Sequence, residues 1–143
     1  MIDELNGFYF EDLTIGLQGV FSRTVTEADI VQFAGVSGDN SPVHLNEEYA
    51  QKTRFKTRIA HGALCGAYIS ACMATRMPGP GCIYVSQTLK FLAPVHIHDT
   101  VVVRVSITAL DEKRKLAILN TRCFVGTHVV VDGEAVLLMP TRT

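Results

Sequence analysis

The stretch Gly62-Ala63-Leu64-Cys65-Gly66-Ala67-Tyr68-Ile69-Ser70-Ala71-Cys72-Met73-Ala74-Thr75 carries no charge over its whole length. A helix that is apolar all round is a buried helix. Gly62, Ala63, Gly66, Ala67, Ser70, Ala71 and Ala74 also make it rich in small side chains, which let a backbone or a sheet come close. Pro78-Gly79-Pro80-Gly81 ends it. Beyond that stop the period changes to two. Val101, Val103, Val105, Ile107 and Ala109 form one face, against Thr100, Arg104, Ser106 and Thr108 on the other. The charged turn Asp111-Glu112-Lys113-Arg114 leads into a strand over about 115–125, and Gly126-Thr127-His128 into another over 129–139. Asp132-Gly133 inside the latter is expected to form a bulge. With 83–92 before them and 17–25 joining from the amino-terminal side, the strands predict an α+β domain, an antiparallel β-sheet wrapped around a buried central helix.

The composition fits one packed domain spanning 1–143. Of the 143 residues, 48% are hydrophobic and 19% charged, enough apolar material for a core and too little charge for disorder. A formal net charge of −1 offers no general attraction to nucleic acid or to an anionic membrane. The longest weakly charged run, 59–75, is shorter than a typical span of about 20 residues. The start Met1-Ile2-Asp3-Glu4 is acidic where a secretory leader would be basic, so a cytoplasmic protein is expected. Cys65, Cys72, Cys82 and Cys123 show no Cys-x-x-Cys spacing and read as small buried hydrophobes.

Upstream, Thr26 is placed as a helix N-cap with Asp29 as its capping-box partner, and Val25 and Ile30 as the hydrophobic staple. Gly35 or Gly38 should end that helix. Another short helix should open at Asn46, where Glu47 and Glu48 complement its dipole. Between the two lies Ser37-Gly38-Asp39-Asn40-Ser41-Pro42-Val43-His44, which Gly38 and Pro42 are expected to keep irregular. It holds a carboxylate five residues from an imidazole, the side chain that titrates near neutrality. Loops on a rigid scaffold commonly carry catalytic groups, and this pair points to acid-base chemistry on a small molecule. Taken singly, Asp39 reads equally well as a turn residue and His44 as a structural histidine.

The stretch Phe33-Ala34-Gly35-Val36-Ser37-Gly38-Asp39-Asn40-Ser41-Pro42-Val43-His44, with Ala50 six residues on, resembles the hydratase motif of the MaoC-like, R-specific enoyl-CoA hydratases. The likeness continues through Ile59-Ala60-His61-Gly62, 83–91 and Gly133-Glu134-Ala135, and so covers about the whole chain. It implies the hot dog fold. One position departs: the family usually has Gly-Asp-x-Asn-Pro-x-His, and here Ser41 precedes Pro42 with Asn40 in the variable place. Asparagine there would hold the loop by side-chain to backbone hydrogen bonds that serine makes more weakly, so a less rigid loop is expected.

The resemblance implies reversible addition of water to a trans-2-enoyl-CoA, with no cofactor and no metal. Asp39 and His44 would hold the water together, and the Gly62 N–H at the helix start would hold the thioester oxygen. Ser70 matches a family serine near the acyl pocket, although a hydroxyl bonded back to a helix carbonyl explains it as well. His61 is expected to shape the helix start. Two readings stand for Lys52, Arg54, Lys56 and Arg58: a solvated loop, or a site for the phosphates of coenzyme A. His96 and His98, one residue apart, would put two imidazoles on one strand face and are read as a solvated sheet end, not a metal site. A chain this small should complete its pocket as a homodimer. The rival readings are a hot dog acyl-CoA thioesterase, a dehydratase acting on acyl carrier protein, and a non-catalytic acyl-thioester-binding module.

Overall fold

The computed structural model describes residues 2–142. In chain order they form α1 (Ile2–Leu5), a 3-10 turn (Phe10–Asp12), β1 (Gln18–Thr24), α2 (Glu27–Ser37), α3 (Pro42–Leu45), α4 (Glu47–Ala50), α5 (Gly62–Thr75), β2 (Ile83–Phe91), β3 (Thr100–Asp111), β4 (Leu116–Val125) and β5 (His128–Leu138). The strands make one antiparallel sheet in the order β1-β3-β4-β5-β2. Val101, Val103, Val105 and Ile107 of β3, with Ala117, Leu119 and Cys123 of β4, turn inward at alternate positions. They meet Leu64, Cys65, Tyr68, Ile69, Cys72 and Met73 of α5 in a single core cluster. Each large aliphatic side chain fully withdrawn from water there contributes about 1.5–3 kcal/mol. The expected hot dog architecture, a sheet curled around one helix, is what these residues build.

That helix is not buried on every side. Gly62, Ala63, Ala67 and Ala74 are exposed, so the small-residue stripe faces out of the single chain while the larger side chains fill the sheet. Edge strand β2 is open in the same way, with Ile83, Tyr84, Val85 and Phe91 exposed. Cys65, Cys72 and Cys123 are buried and Cys82 half-buried, all of them free thiols. Burial pushes the Cys72 thiol up to about 11, as a core hydrophobe requires.

Two local expectations are corrected. No bulge occurs at Asp132-Gly133, which pair regularly with Arg122 and Thr121 on one side and with Lys90 and Leu89 on the other. The register instead slips between Cys123 and Phe124, which face Val131 and Val129 and leave Val130 as the extra residue. Gly133 serves a close approach: a Cβ there would stand 2.1 Å from the Thr88 carbonyl oxygen of β2. His96 and His98 do not share a strand face either. His96 forms a lone bridge to Ile59 and His98 sits in a turn at φ 75°. The turn is closed by the Asp99 carboxylate, which accepts the His96 N–H at 2.9 Å.

Candidate active site

The loop that carries the candidate pair is fixed at both ends by local chemistry. At the start of α2, the helix that leads into it, Thr26 Oγ1 accepts the Asp29 N–H at 3.1 Å and Asp29 Oδ2 accepts the Thr26 N–H at 3.0 Å, the capping box expected from sequence. Partial burial pushes the Asp29 carboxyl up, but the Arg23 guanidinium at 2.8 Å and the Thr26 donors outweigh it and hold the group below its ordinary value. Of the two glycines offered as the stop of α2, Gly38 is the one used, at φ 80°, where a side chain would be strained. Ser37 Oγ then donates to the Phe33 carbonyl at 2.6 Å and accepts the Asp39 N–H at 3.1 Å.

Irregular backbone extends only to Ser41. Pro42 does not prolong it but opens the helical turn α3, because its locked φ suits the first helical position and no N–H is needed there. His44 therefore rides on a helical turn. The substitution at position 41 has a simple account. Ser41 makes no side-chain cap bond, and its contribution is the backbone N–H given to Asp39 Oδ1 at 3.2 Å. An asparagine would supply the same N–H, so the loop keeps its shape.

His44 is buried and Asp39 exposed. His44 Nδ1 lies 2.8 Å from the Ile59 carbonyl oxygen. A carbonyl only accepts, so Nδ1 carries a proton, and in the neutral ring it is Nε2 that presents the lone pair. That Nε2 is 3.9 Å from Asp39 Oδ2, too far for a direct hydrogen bond. A water about 2.8 Å from each atom would subtend about 90° at its oxygen, so the spacing suits two acceptors addressing one water.

Gly62 opens α5 directly after His61. The first N–H groups of a helix have no acceptor within it, and the His61 side chain makes no cap bond, so the Gly62 N–H remains available at the positive end of the dipole. A Cβ on Gly62 would meet the Phe91 ring at 2.8 Å, so only glycine lets that ring lie against the helix start. A cleft of about 560 Å³ opens at this helix start, lined among others by His61, Gly62, Cys65, Phe91, Pro94 and Arg54; Asp39 and His44 are not part of its lining.

The other residues singled out from sequence separate. Arg54 reaches the cleft wall. Lys52 and Lys56 are exposed on the adjoining loop. Arg58 is already committed: its Nε donates to the His44 carbonyl at 2.6 Å, and NH1 and NH2 grip the Glu27 carboxylate at 2.9 Å each. It ties α3 to α2 and so positions His44, in place of the phosphate contact offered as one of its two readings. Ser70 is half-buried on α5 and outside the cleft lining. Sequence reasoning missed the Ile59 carbonyl, since a backbone acceptor has no signature of its own.

Asp39, His44 and His61 also bring one ligand-type atom each within 4.8 Å of one another. The histidine rings, however, are stacked 26° from parallel. Their in-plane lone pairs run side by side and do not converge on an ion about 2 Å from each. His61 Nε2 is moreover taken up by the Asp39 carbonyl at 2.8 Å. The geometry suits a water held by a carboxylate and an imidazole.

Comparison with known proteins agrees with this chemistry. Residues 16–125 match the MaoC like domain family. The chain is 50% identical over 140 residues to an (R)-specific enoyl-CoA hydratase of Rhodospirillum rubrum, covering 98% of this chain and 97% of that protein. It is 46% identical over 142 residues to the 3-hydroxybutyryl-CoA dehydratase of Methylorubrum extorquens, covering 99% of this chain and 90% of the other. Among solved structures, the unliganded R-hydratase PhaJ1 from Pseudomonas aeruginosa superposes with a TM-score of 0.90 at 40% identity, over 96% of this chain and 89% of that one.

Proposed function

This chain belongs to the MaoC-like dehydratase family, and from that premise we propose that Asp39, His44 and the Gly62 N–H are the groups by which it hydrates its substrate. The activity is that of an R-specific enoyl-CoA hydratase, equivalently a 3-hydroxyacyl-CoA dehydratase. Water adds reversibly across the double bond of a trans-2-enoyl-CoA. The observation that carries the residue assignment is the 3.9 Å separation of His44 Nε2 and the Asp39 carboxylate, with His44 Nδ1 held by the Ile59 carbonyl, a spacing that suits two acceptors sharing one water.

As the water oxygen bonds to the β-carbon, one of its protons passes to the Asp39–His44 pair. Charge moves onto the thioester oxygen, where the Gly62 N–H and the helix dipole meet it. The pair then returns one proton to the α-carbon, so it ends as it began and no cofactor is consumed. Acid-base help of this type is worth about 10²–10⁴-fold, and one oxyanion donor about 10²–10³-fold. In this reading Arg54, which lines the cleft, and Lys56, exposed on the same loop, would meet a coenzyme A phosphate. The test is incubation with enoyl-CoA thioesters of graded length. Loss of the conjugated thioester absorbance, an R-3-hydroxyacyl product and no free thiol are expected. The S isomer would reject the family mechanism, and thiol release from a saturated acyl-CoA would favour the thioesterase reading.

The working unit in this reading is a homodimer. The exposed edge of β2 and the open small-residue side of α5, on which Ser70 lies, are the surfaces a second copy would cover. Ser70 would then border the acyl pocket from that side. Sedimentation at assay concentration is expected to show a dimer, and a fully active monomer would overturn this assembly. Among the described residues no helix is long and apolar enough to cross a membrane.

A further inference from the structure

His61 touches both members of the Asp39–His44 pair and adjoins the Gly62 N–H. It is 1% exposed and is the N-cap residue of α5, one peptide bond from the Gly62 N–H. Its Nε2 lies 2.8 Å from the backbone carbonyl oxygen of Asp39, which can only accept, so Nε2 carries the proton. Its ring stacks on that of His44 at 3.9 Å between centroids and meets Phe33 at 4.9 Å. Its other nitrogen, Nδ1, is buried and has no hydrogen-bond partner.

That orphan nitrogen bears on the role. A buried acceptor without a donor costs stability, and a phenylalanine could stack in the same plane without that cost. A ring present only to pack would need no nitrogen. The feature this imidazole adds over a phenyl ring is the Nε2–H held by the Asp39 carbonyl.

We propose that His61 is a positioning residue for hydration: its Nε2–H pins the Asp39 backbone while its face sets the plane of His44, which keeps the water site in register with the Gly62 N–H. This rests on the Asp39–His44 reading above. Small misplacements of reacting groups cost up to about 10²-fold in rate. The role should therefore appear in kcat and leave KM nearly alone, because His61 holds catalytic groups and not the acyl-CoA.

Two variants separate positioning from packing. His61→Phe keeps the stack and removes both the donor and the orphan. It is expected to melt cooperatively close to the wild-type temperature, since losing the orphan offsets the Asp39 carbonyl left without its donor, with kcat lowered about 10–100-fold and KM changed by less than about twofold. His61→Gln places an amide N–H near the former Nε2 and is expected to recover most of the lost kcat. Wild-type kcat in His61→Phe overturns the proposal, as does a melting temperature that falls in step with activity. Equal kcat in the two variants also overturns it, by removing the hydrogen bond from the explanation. Should His61→Phe fail to fold, His61→Gln against His61→Leu makes the same comparison of donor and no donor, and equal kcat again overturns it. The hydratase reading fails separately, if the wild-type protein shows no hydration or if Asp39→Asn matches it.

Discussion

Asp39→Asn and His44→Ala are each expected to lower hydration turnover by about 10³-fold or more, with the double variant little worse than either. The reason is geometric. Both acceptors address one water across a 3.9 Å gap, so removing either spoils the same step and leaves nothing for the second removal to take. Asp39→Asn keeps the Oδ1 atom that accepts the Ser41 N–H at 3.2 Å, so the loop should hold while the charge is lost. His44→Ala also removes the bond to the Ile59 carbonyl at 2.8 Å and opens a space beside His61, so its stability should be measured alongside its rate. Loss of the enoyl-thioester absorbance under saturating substrate is the readout. Near wild-type hydration by His44→Ala would refute the shared-water mechanism. Additive losses in the double variant would show two independent roles.

The second large effect is on stability. Gly133→Ala should destabilise the fold by about 3 kcal/mol, the scale of overpacking a closed site, and lower the melting temperature on the order of 10 °C. The added carbon would stand 2.1 Å from the Thr88 carbonyl oxygen and 3.0 Å from Gln87 Nε2. Thr88 and Leu89 are paired with Glu134 and Gly133, so the clash is with backbone that cannot swing aside without parting β2 from β5. Gly35→Ala is the matched control. Nothing lies within 4 Å of its added carbon and it sits inside α2, so a gain of about 0.4–1 kcal/mol is expected. Chemical denaturation of both variants at equal protein concentration decides the matter. Wild-type stability in Gly133→Ala would mean that the strands do not approach as described.

What the sequence determined by itself was everything set by short-range forces. The limits of α5, the capping box of Thr26 and Asp29 and the Asn46 cap follow from side chains within a turn of the groups they satisfy, whereas the stop of α2 was narrowed only to Gly35 or Gly38. The strands followed from a period of two imposed by one buried face. The pair Asp39 and His44 was legible because its motif is contiguous. The tertiary structure decided the rest. The His44 tautomer depends on the Ile59 carbonyl fifteen residues away, and the stacked ring of His61 arrives from the start of another helix. Arg58 looked like one of four equivalent cations until Glu27, thirty-one residues distant, claimed its guanidinium. The bulge moved from Asp132-Gly133 to Val130 because register is set by the neighbouring strands, and a glycine within a strand marks a bulge and a close approach alike. The open side of α5 was hidden for a related reason: an apolar, small-residue face reads the same whether its own sheet or a second chain covers it.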